Sequence, residues 1–203
     1  MPETKVRVRY APSPTGEPHV GNIRTALFDW LFARNKGGDF IVRVEDTDQA
    51  RRVEGAIELQ KESLQWLGLD WDEGLGEKGE SGPYVQSERL DYYENAVSRL
   101  LTIGAAYKCF CTSERLESLR QIQKQQKLSR LGYDGKCRSL KKEKLQKMES
   151  ESIPFVVRFL MPDEGISQID DLVRGIIEFD NDLVEDFVIL KADGFPSYHL
   201  ASV

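Results

Sequence analysis

The chain has 203 residues, 28 of them Lys or Arg against 34 Asp or Glu, for a formal charge of −6. Its 40% hydrophobic share and 9% aromatic share support a real core and exclude disorder as the main state. No apolar run is long enough to span a membrane, the first residues carry no apolar leader (so the cytoplasm is the expected location), and three cysteines argue against a disulfide framework.

Val6, Val8 and Tyr10 alternate with Arg7 and Arg9, which predicts a two-faced strand. It runs into Ala11-Pro12-Ser13-Pro14-Thr15-Gly16, a turn without helical character. Ile23, Ala26, Leu27, Trp30 and Leu31 then fall at helical spacing, and Gly37-Gly38 stops that helix. Residues 40–44 predict a second strand, and Val53, Ile57, Leu64 and Leu67 a second helix. Strand, helix, strand, helix with short links predicts an α/β fold with a parallel sheet and right-handed crossovers.

The Gly-, Glu- and Ser-rich stretch 74–82 is the best domain boundary on composition. Beyond it, Leu90, Tyr93, Val97, Leu100 and Leu101 predict a helix ending at Gly104. A strand is predicted over 106–110, followed by a helix capped by Thr112 and carrying Leu116, Leu119 and Ile122. Short strands are predicted over 155–160, 175–179 and 187–190, with turns at 180–182 and 193–194. Charge is unevenly spread: residues 115–147 hold 11 Lys or Arg against three acids, a surplus of eight that leaves −14 for the remainder. Such a segment suits a polyanion, although a solvated helix face would carry the same charges.

Two constellations can carry chemistry. The turn before His19-Val20-Gly21-Asn22 joins a strand end to a helix start, the place where parallel α/β sheets bind ligands. Backbone N–H groups and the helix dipole there suit a phosphate, Gly21 permits close approach, and His19 can donate to phosphate oxygens. On spacing alone an ordinary strand-to-helix turn accounts for it equally well. Cys109, Cys111 and Cys137, with Tyr133, could surround one tetrahedral Zn²⁺ through three thiolates and a phenolate. Three reduced, half-buried cysteines are the other reading, and both stay open.

Read as whole words, the segments resemble bacterial-type glutamyl-tRNA synthetases of class I. His19-Val20-Gly21-Asn22 is similar to the HIGH signature, and Ala11 to Gly16 and Arg24-Thr25-Ala26-Leu27-Phe28 match its surroundings. Arg43-Val44-Glu45-Asp46-Thr47-Asp48, Pro83-Tyr84-Val85-Gln86-Ser87-Glu88-Arg89 and the 193–201 block agree in order and spacing. The resemblance implies the first half of a Rossmann-like nucleotide-binding fold over 1–83. It also implies an inserted α+β domain holding the tRNA acceptor end over 84–190, and a return into the catalytic fold over 191–203, where the chain looks truncated. It implies glutamate activation with ATP and Mg²⁺ and transfer to tRNA(Glu), in a protein that is monomeric at full length and bound to no membrane. Arg9 would pair with the glutamate side chain, Glu45 with its ammonium group, and Ala11, Ser13 and Tyr198 would complete the pocket. Ser202 stands where many relatives have Asn and would reach the α-carboxylate directly or through water. Ser13, Thr15, Gly16, His19, Gly21 and Asn22 would contact ATP. Zinc-bearing relatives resemble the Cys/Tyr arrangement, and zinc there would be structural. Two alternatives are a glutamyl-queuosine tRNA(Asp) synthetase-like paralogue and a non-catalytic module binding tRNA or ATP. Lys127-Leu128-Ser129-Arg130 looks like the second class I signature but lies inside the insert, so it reads as helix-end and loop residues.

Overall fold

A computed structural model describes residues 5–77, 79–128 and 131–202; Ser129 and Arg130 of the signature look-alike, and Val203, lie outside them. The chain divides into two compact units, Met1–Asp91 and Tyr92–Val203.

In the first unit β1 (Arg7–Tyr10) leads into α1 (Val20–Asn35), β2 (Asp39–Val42), α2 (Ala56–Trp66) and β3 (Glu73–Gly74). The strands form a parallel sheet in the order β1-β2-β3, with Val8 opposite Phe40 and Ile41 opposite Glu73. Parallel neighbours need a crossover, and each helix supplies one, as the alternating pattern predicts. The core joins Tyr10, Phe40 and Val42 of the sheet to Ala26 and Ala33 of α1 and to Leu64 and Leu69. The buried stripe of α1 is narrower than its sequence suggests: Ile23, Ala26, Trp30 and Ala33 pack, while Leu27 and Leu31 are exposed. Two alanines let the helix lie close to the sheet, which leaves the flanking leucines at its rim. On α2 a polar residue joins the stripe: Gln60 is buried, and its Oε1 accepts the Tyr10 hydroxyl at 3.3 Å. Burial pushes that hydroxyl's pKa up to about 12, so it stays a donor. Gly74 has φ +117°, and a Cβ there would stand 2.0 Å from the Val42 carbonyl, so β3 can pair this closely only as glycine. The chain then returns along the sheet end: Val44 N–H donates to Tyr84 O at 2.9 Å and Gln86 N–H to Val44 O at 3.0 Å.

The second unit runs α3 (Leu90–Thr102), β4 (Ala106–Cys109), α4 (Ser113–Gln125), α5 (Lys142–Ser150) and β5 (Val156–Phe159). It continues through β6 (Ile166–Asp171), β7 (Gly175–Asp180), β8 (Val188–Leu190) and α6 (Tyr198–Ser202). An antiparallel sheet in the order β4-β5-β8 packs Val157 and Ile189 against Val97 of α3 and Ala106. Thr112 caps α4 as predicted, its Oγ1 accepting the Arg115 N–H at 3.3 Å. The charged stretch after 141 forms α5 without a buried residue, a solvated helix. β6 is not visible in the apolar pattern because the hairpin β6–β7 has no buried face, and Leu172 and Val173 at its tip are 84% and 92% exposed. The predicted turn at 180–182 is in part a 3-10 turn, Asn181–Leu183. Among the described residues no helix is long and apolar enough to cross a membrane.

Candidate functional site

The turn after β1 is rigid by composition and is tied to its neighbours by backbone bonds. Pro12 O accepts Glu45 N–H at 2.8 Å, Pro14 O accepts Val53 N–H at 2.9 Å, and Tyr10 O accepts Arg43 N–H at 3.1 Å. Pro14 is fully buried, whereas Ser13, Thr15 and His19 remain exposed and Ala11 and Gly16 partly so. These bonds bring the end of β1 beside the residues following β2. Arg9 Nη1 thereby reaches Glu45 Oε1 at 2.5 Å, with side-chain exposures of 29% and 7%.

Two residues at this site have no role in the motif reading, although Arg43 stands in one of its blocks. Arg43 Nη2 lies 4.0 Å from the same Glu45 oxygen, so that carboxylate is flanked by two guanidinium groups. Asp29 on α1 is half-buried; burial pushes its carboxyl up while the Arg9 charge pulls it back. Its position three residues after buried Ala26 is the sequence signal for an acid on the packed side. Asp46, fully buried, accepts both the backbone N–H and the hydroxyl of Ser87, at 2.8 and 2.7 Å, which fastens the 83–89 block to the 43–48 block.

At the start of α1, His19 is the N-cap and its Nδ1 accepts the Gly21 N–H at 3.1 Å. That bond requires Nδ1 to be unprotonated, so Nε2 carries the ring hydrogen and faces outward as a donor. Asn22 and Ile23 N–H both donate to His19 O, at 2.9 and 3.1 Å. A Cβ on Gly21 would stand 3.2 Å from His19 Nδ1, so the glycine also makes room for the cap.

Tyr198 and Ser202 belong to the second unit, on α6. Tyr198 is 68% exposed and meets His199 edge-on, with ring centroids 5.9 Å apart. The Ser202 hydroxyl donates to Tyr198 O at 2.8 Å.

The second constellation assembles at the end of β4. The sulfurs of Cys109, Cys111 and Cys137 lie within 4.8 Å of one another. Cys111 Sγ and Cys137 Sγ are 3.7 Å apart, and Cys109 Sγ is 3.5 Å from Tyr133 Oη. A tetrahedron with Zn–S bonds of about 2.3 Å has S···S edges of ~3.8 Å; the Cys111–Cys137 separation matches that edge and lies far beyond disulfide length. The Tyr133 oxygen also accepts Cys137 N–H at 2.7 Å. Hydrogen bonding from Cys137, then from Tyr133 and Arg158, pulls the Cys109 thiol down to about 4. The Cys137 thiol is pushed up by its bond to Cys109, and the Tyr133 phenol by burial. One proton lost already favours a thiolate here, the form that binds metal. Arg115 bonds to Cys111 Sγ at 3.5 Å and to the Asp134 carboxylate.

The family model described as tRNA synthetases class I (E and Q), catalytic domain, matches residues 5–203. A glutamate–tRNA ligase of Dehalococcoides mccartyi is 58% identical over 199 residues, 98% of this chain and 40% of that protein. One from Bacillus licheniformis is 51% identical over 198 residues, 97% of this chain and 40% of that protein. The crystal structure of a glutamate tRNA ligase from Elizabethkingia meningosepticum, in complex with its amino acid, superposes with a TM-score of 0.89 at 41% identity, covering 98% of this chain and 41% of that one. The chain therefore spans about 40% of the length of these relatives.

Proposed function

The chain belongs to the class I (E and Q) tRNA synthetase catalytic-domain family, and from that premise we propose that it recognises glutamate and ATP for the formation of glutamyl-adenylate, which is then transferred to tRNA(Glu). The observation that carries this reading is the Arg9–Glu45 pair, a cation and an anion held 2.5 Å apart where adjacent parallel strands end. An acidic amino acid offers the complementary set: its side-chain carboxylate matches the guanidinium fork, and its ammonium group matches the carboxylate. Ala11 and Ser13 would line the pocket, and Tyr198 and Ser202 would complete it around the α-carboxylate.

ATP with Mg²⁺ would lie over the start of α1. The α-carboxylate of glutamate attacks the α-phosphorus, the bond to the β-phosphate oxygen breaks, and pyrophosphate leaves. His19 Nε2–H and the backbone around Thr15, Gly16, Gly21 and Asn22 would hold the phosphates and offset charge as it builds on them. No side chain needs to form a bond to the substrate, so Glu45 acts as a binder and not as a general base. Residues 1–83 and 191–203 would serve this chemistry, and 84–190 the tRNA acceptor end, through phosphate contacts that weaken with salt. Cys109, Cys111, Cys137 and Tyr133 would hold Zn²⁺, which when bound supplies a cross-link between the end of β4 and the 133–137 segment. The family's part in translation supports a cytoplasmic setting.

Two measurements test the proposal. Calorimetry with L-glutamate should give saturable binding that L-aspartate, one methylene shorter, does not reproduce; equal binding of the two would remove the basis for the pocket. Pyrophosphate exchange, with tRNA added, should depend on glutamate. Gly21→Ala probes the phosphate turn separately. Helix propensity favours alanine by up to about 1 kcal/mol and disturbing the His19 cap costs a similar amount, so the variant's stability should stay within about 1 kcal/mol of its parent. Its Cβ intrudes on the His19 cap and on the phosphate path, and ATP affinity should fall on the order of tenfold, about 1.4 kcal/mol. Unchanged ATP affinity would count against a phosphate role for this turn.

A further inference from the structure

Arg158, on β5, is 5% exposed, so its charge is withdrawn from water. Buried guanidinium groups are normally matched by a carboxylate, because an uncompensated buried charge is costly. Arg158 has no carboxylate partner among the described residues. Its Nη1 donates to the backbone carbonyl of Asp186 at 2.6 Å, and its buried Nε has no hydrogen-bond acceptor. What it does have is the Cys109 sulfur, toward which it donates, and the face of Tyr133, with the guanidinium carbon 3.9 Å from the ring centroid. Tyr133 is itself buried, and its oxygen is 3.5 Å from Cys109 Sγ.

We propose that Arg158 is the charge-balancing positioning residue of a Cys109/Cys111/Cys137/Tyr133 zinc centre, lying over the tyrosine ring so that the phenol can bind the metal as phenolate. The proposal rests on the zinc reading given above. Three thiolates and a phenolate carry two negative charges more than Zn²⁺ neutralises, and a buried site of that kind needs a cation close by. Arg115 also touches the centre, but it is half outside it: its other nitrogen is bonded to Asp134, which offsets its charge locally. Arg158 has no such competitor. Its planar cation can stack on the ring and still hold the Asp186 carbonyl, which fixes the ring orientation as well as the charge. The anionic centre in turn accounts for a buried arginine without a carboxylate.

The test uses the full chain, loaded with zinc and then challenged with a colorimetric chelator. The parent should hold one zinc per chain. Arg158→Met should release it ~10–100-fold faster, the range seen when groups supporting metal ligands are removed. Arg115→Met should have the smaller effect. Zinc loading of the parent should produce the ultraviolet band of tyrosinate, and Arg158→Met should weaken that band at equal zinc occupancy. In a Tyr133→Phe background, where the extra negative charge is gone, adding Arg158→Met should speed release little further. Release at the parental rate from folded Arg158→Met, or an undiminished effect in the Tyr133→Phe background, would overturn the proposal while leaving the zinc site standing. A parent that takes up no zinc would instead overturn the zinc reading itself. If Arg158→Met does not fold, Arg158→Lys carries the test: with the charge retained, release should stay within about threefold of the parent, and a ~10-fold acceleration would overturn the charge-balancing role.

Discussion

Asp186→Ala should lower stability by about 3–5 kcal/mol, the usual consequence of removing one partner of a buried ion pair. Asp186 is 2% exposed and sits just before β8. Its Oδ1 accepts Arg138 Nη2 at 2.5 Å and Met161 N–H at 3.0 Å, while Oδ2 takes the Tyr107 hydroxyl and Arg138 Nε. Its own carbonyl holds Arg158. One side chain thus joins β4, the segment around Arg138 and the end of β5, positions 48 and 79 residues away in the chain for two of the partners. Alanine leaves Arg138, Tyr107 and the Met161 N–H short of acceptors together, and Asp163, mostly exposed, can compensate only Arg138. Asp186→Asn should fall between, because the amide keeps the shape but turns a donor toward a cation.

The same carboxyl sets a pH dependence. Burial alone would raise its pKa, but the bonds from Arg138, Tyr107 and Met161 hold it below the usual carboxylate range. A depressed folded pKa gives stability that is fully present above the unfolded value, about 3.9, and is lost as pH falls through the folded value. Urea midpoints should therefore be flat from neutral pH down to about 5 and decline in stronger acid, with a shallower acid limb in Asp186→Ala. A variant within about 1 kcal/mol of the parent would show that the network merely decorates a fold held elsewhere.

The Asp186 network is also a case of what the sequence conceals. Asp186 lies in an acidic, loop-like stretch, and nothing in its spacing announces burial; the partners are long-range, fixed only when the β4-β5-β8 sheet forms. Strand β6 is hidden for the opposite reason, since a ribbon without a buried face gives it no alternation to read, whereas the apolar run of its partner β7 still marks a strand. By contrast β1, α1, β2 and α2 are legible because each buries one periodic face, and the parallel order follows from their alternation. At the site, the turn residues and Glu45 were readable as words, and the sulfur centre as Cys-x-Cys plus a distant Tyr and Cys. The parts played by Asp29 and Arg158 were not, because each matters through a neighbour from another element, Arg9 and Tyr133 respectively, and Arg43 was read as part of a block without its place beside Glu45. Periodicity reports which face is buried, whereas charge pairing across elements has no local signature.

The largest functional effect should come from Arg9→Leu, which we expect to weaken L-glutamate binding by about 2–5 kcal/mol, the loss typical of truncating one partner of a hydrogen-bonded charge pair. Arg9 is engaged by Glu45 at 2.5 Å, so glutamate would have to open that contact before its own carboxylate could take the guanidinium. The exchange would be favourable only if the amino acid returned both halves, a carboxylate to Arg9 and an ammonium group to Glu45. Leucine removes the first half completely. Stability should change little, because Arg9 is part-exposed and Glu45 keeps Arg43 at 4.0 Å, so no carboxylate is left isolated. Glu45→Gln should be milder than Arg9→Leu, since losing the ammonium partner is partly offset by freeing Arg9 from its internal competitor. Arg9→Lys should lie between, with the charge kept and the fork lost. Calorimetry on the three variants reads this order directly. If Glu45→Gln proved the more damaging, Arg9 would be there to hold Glu45 in place, and the substrate's side chain would have to be read by another cation, with Arg43 the first to test.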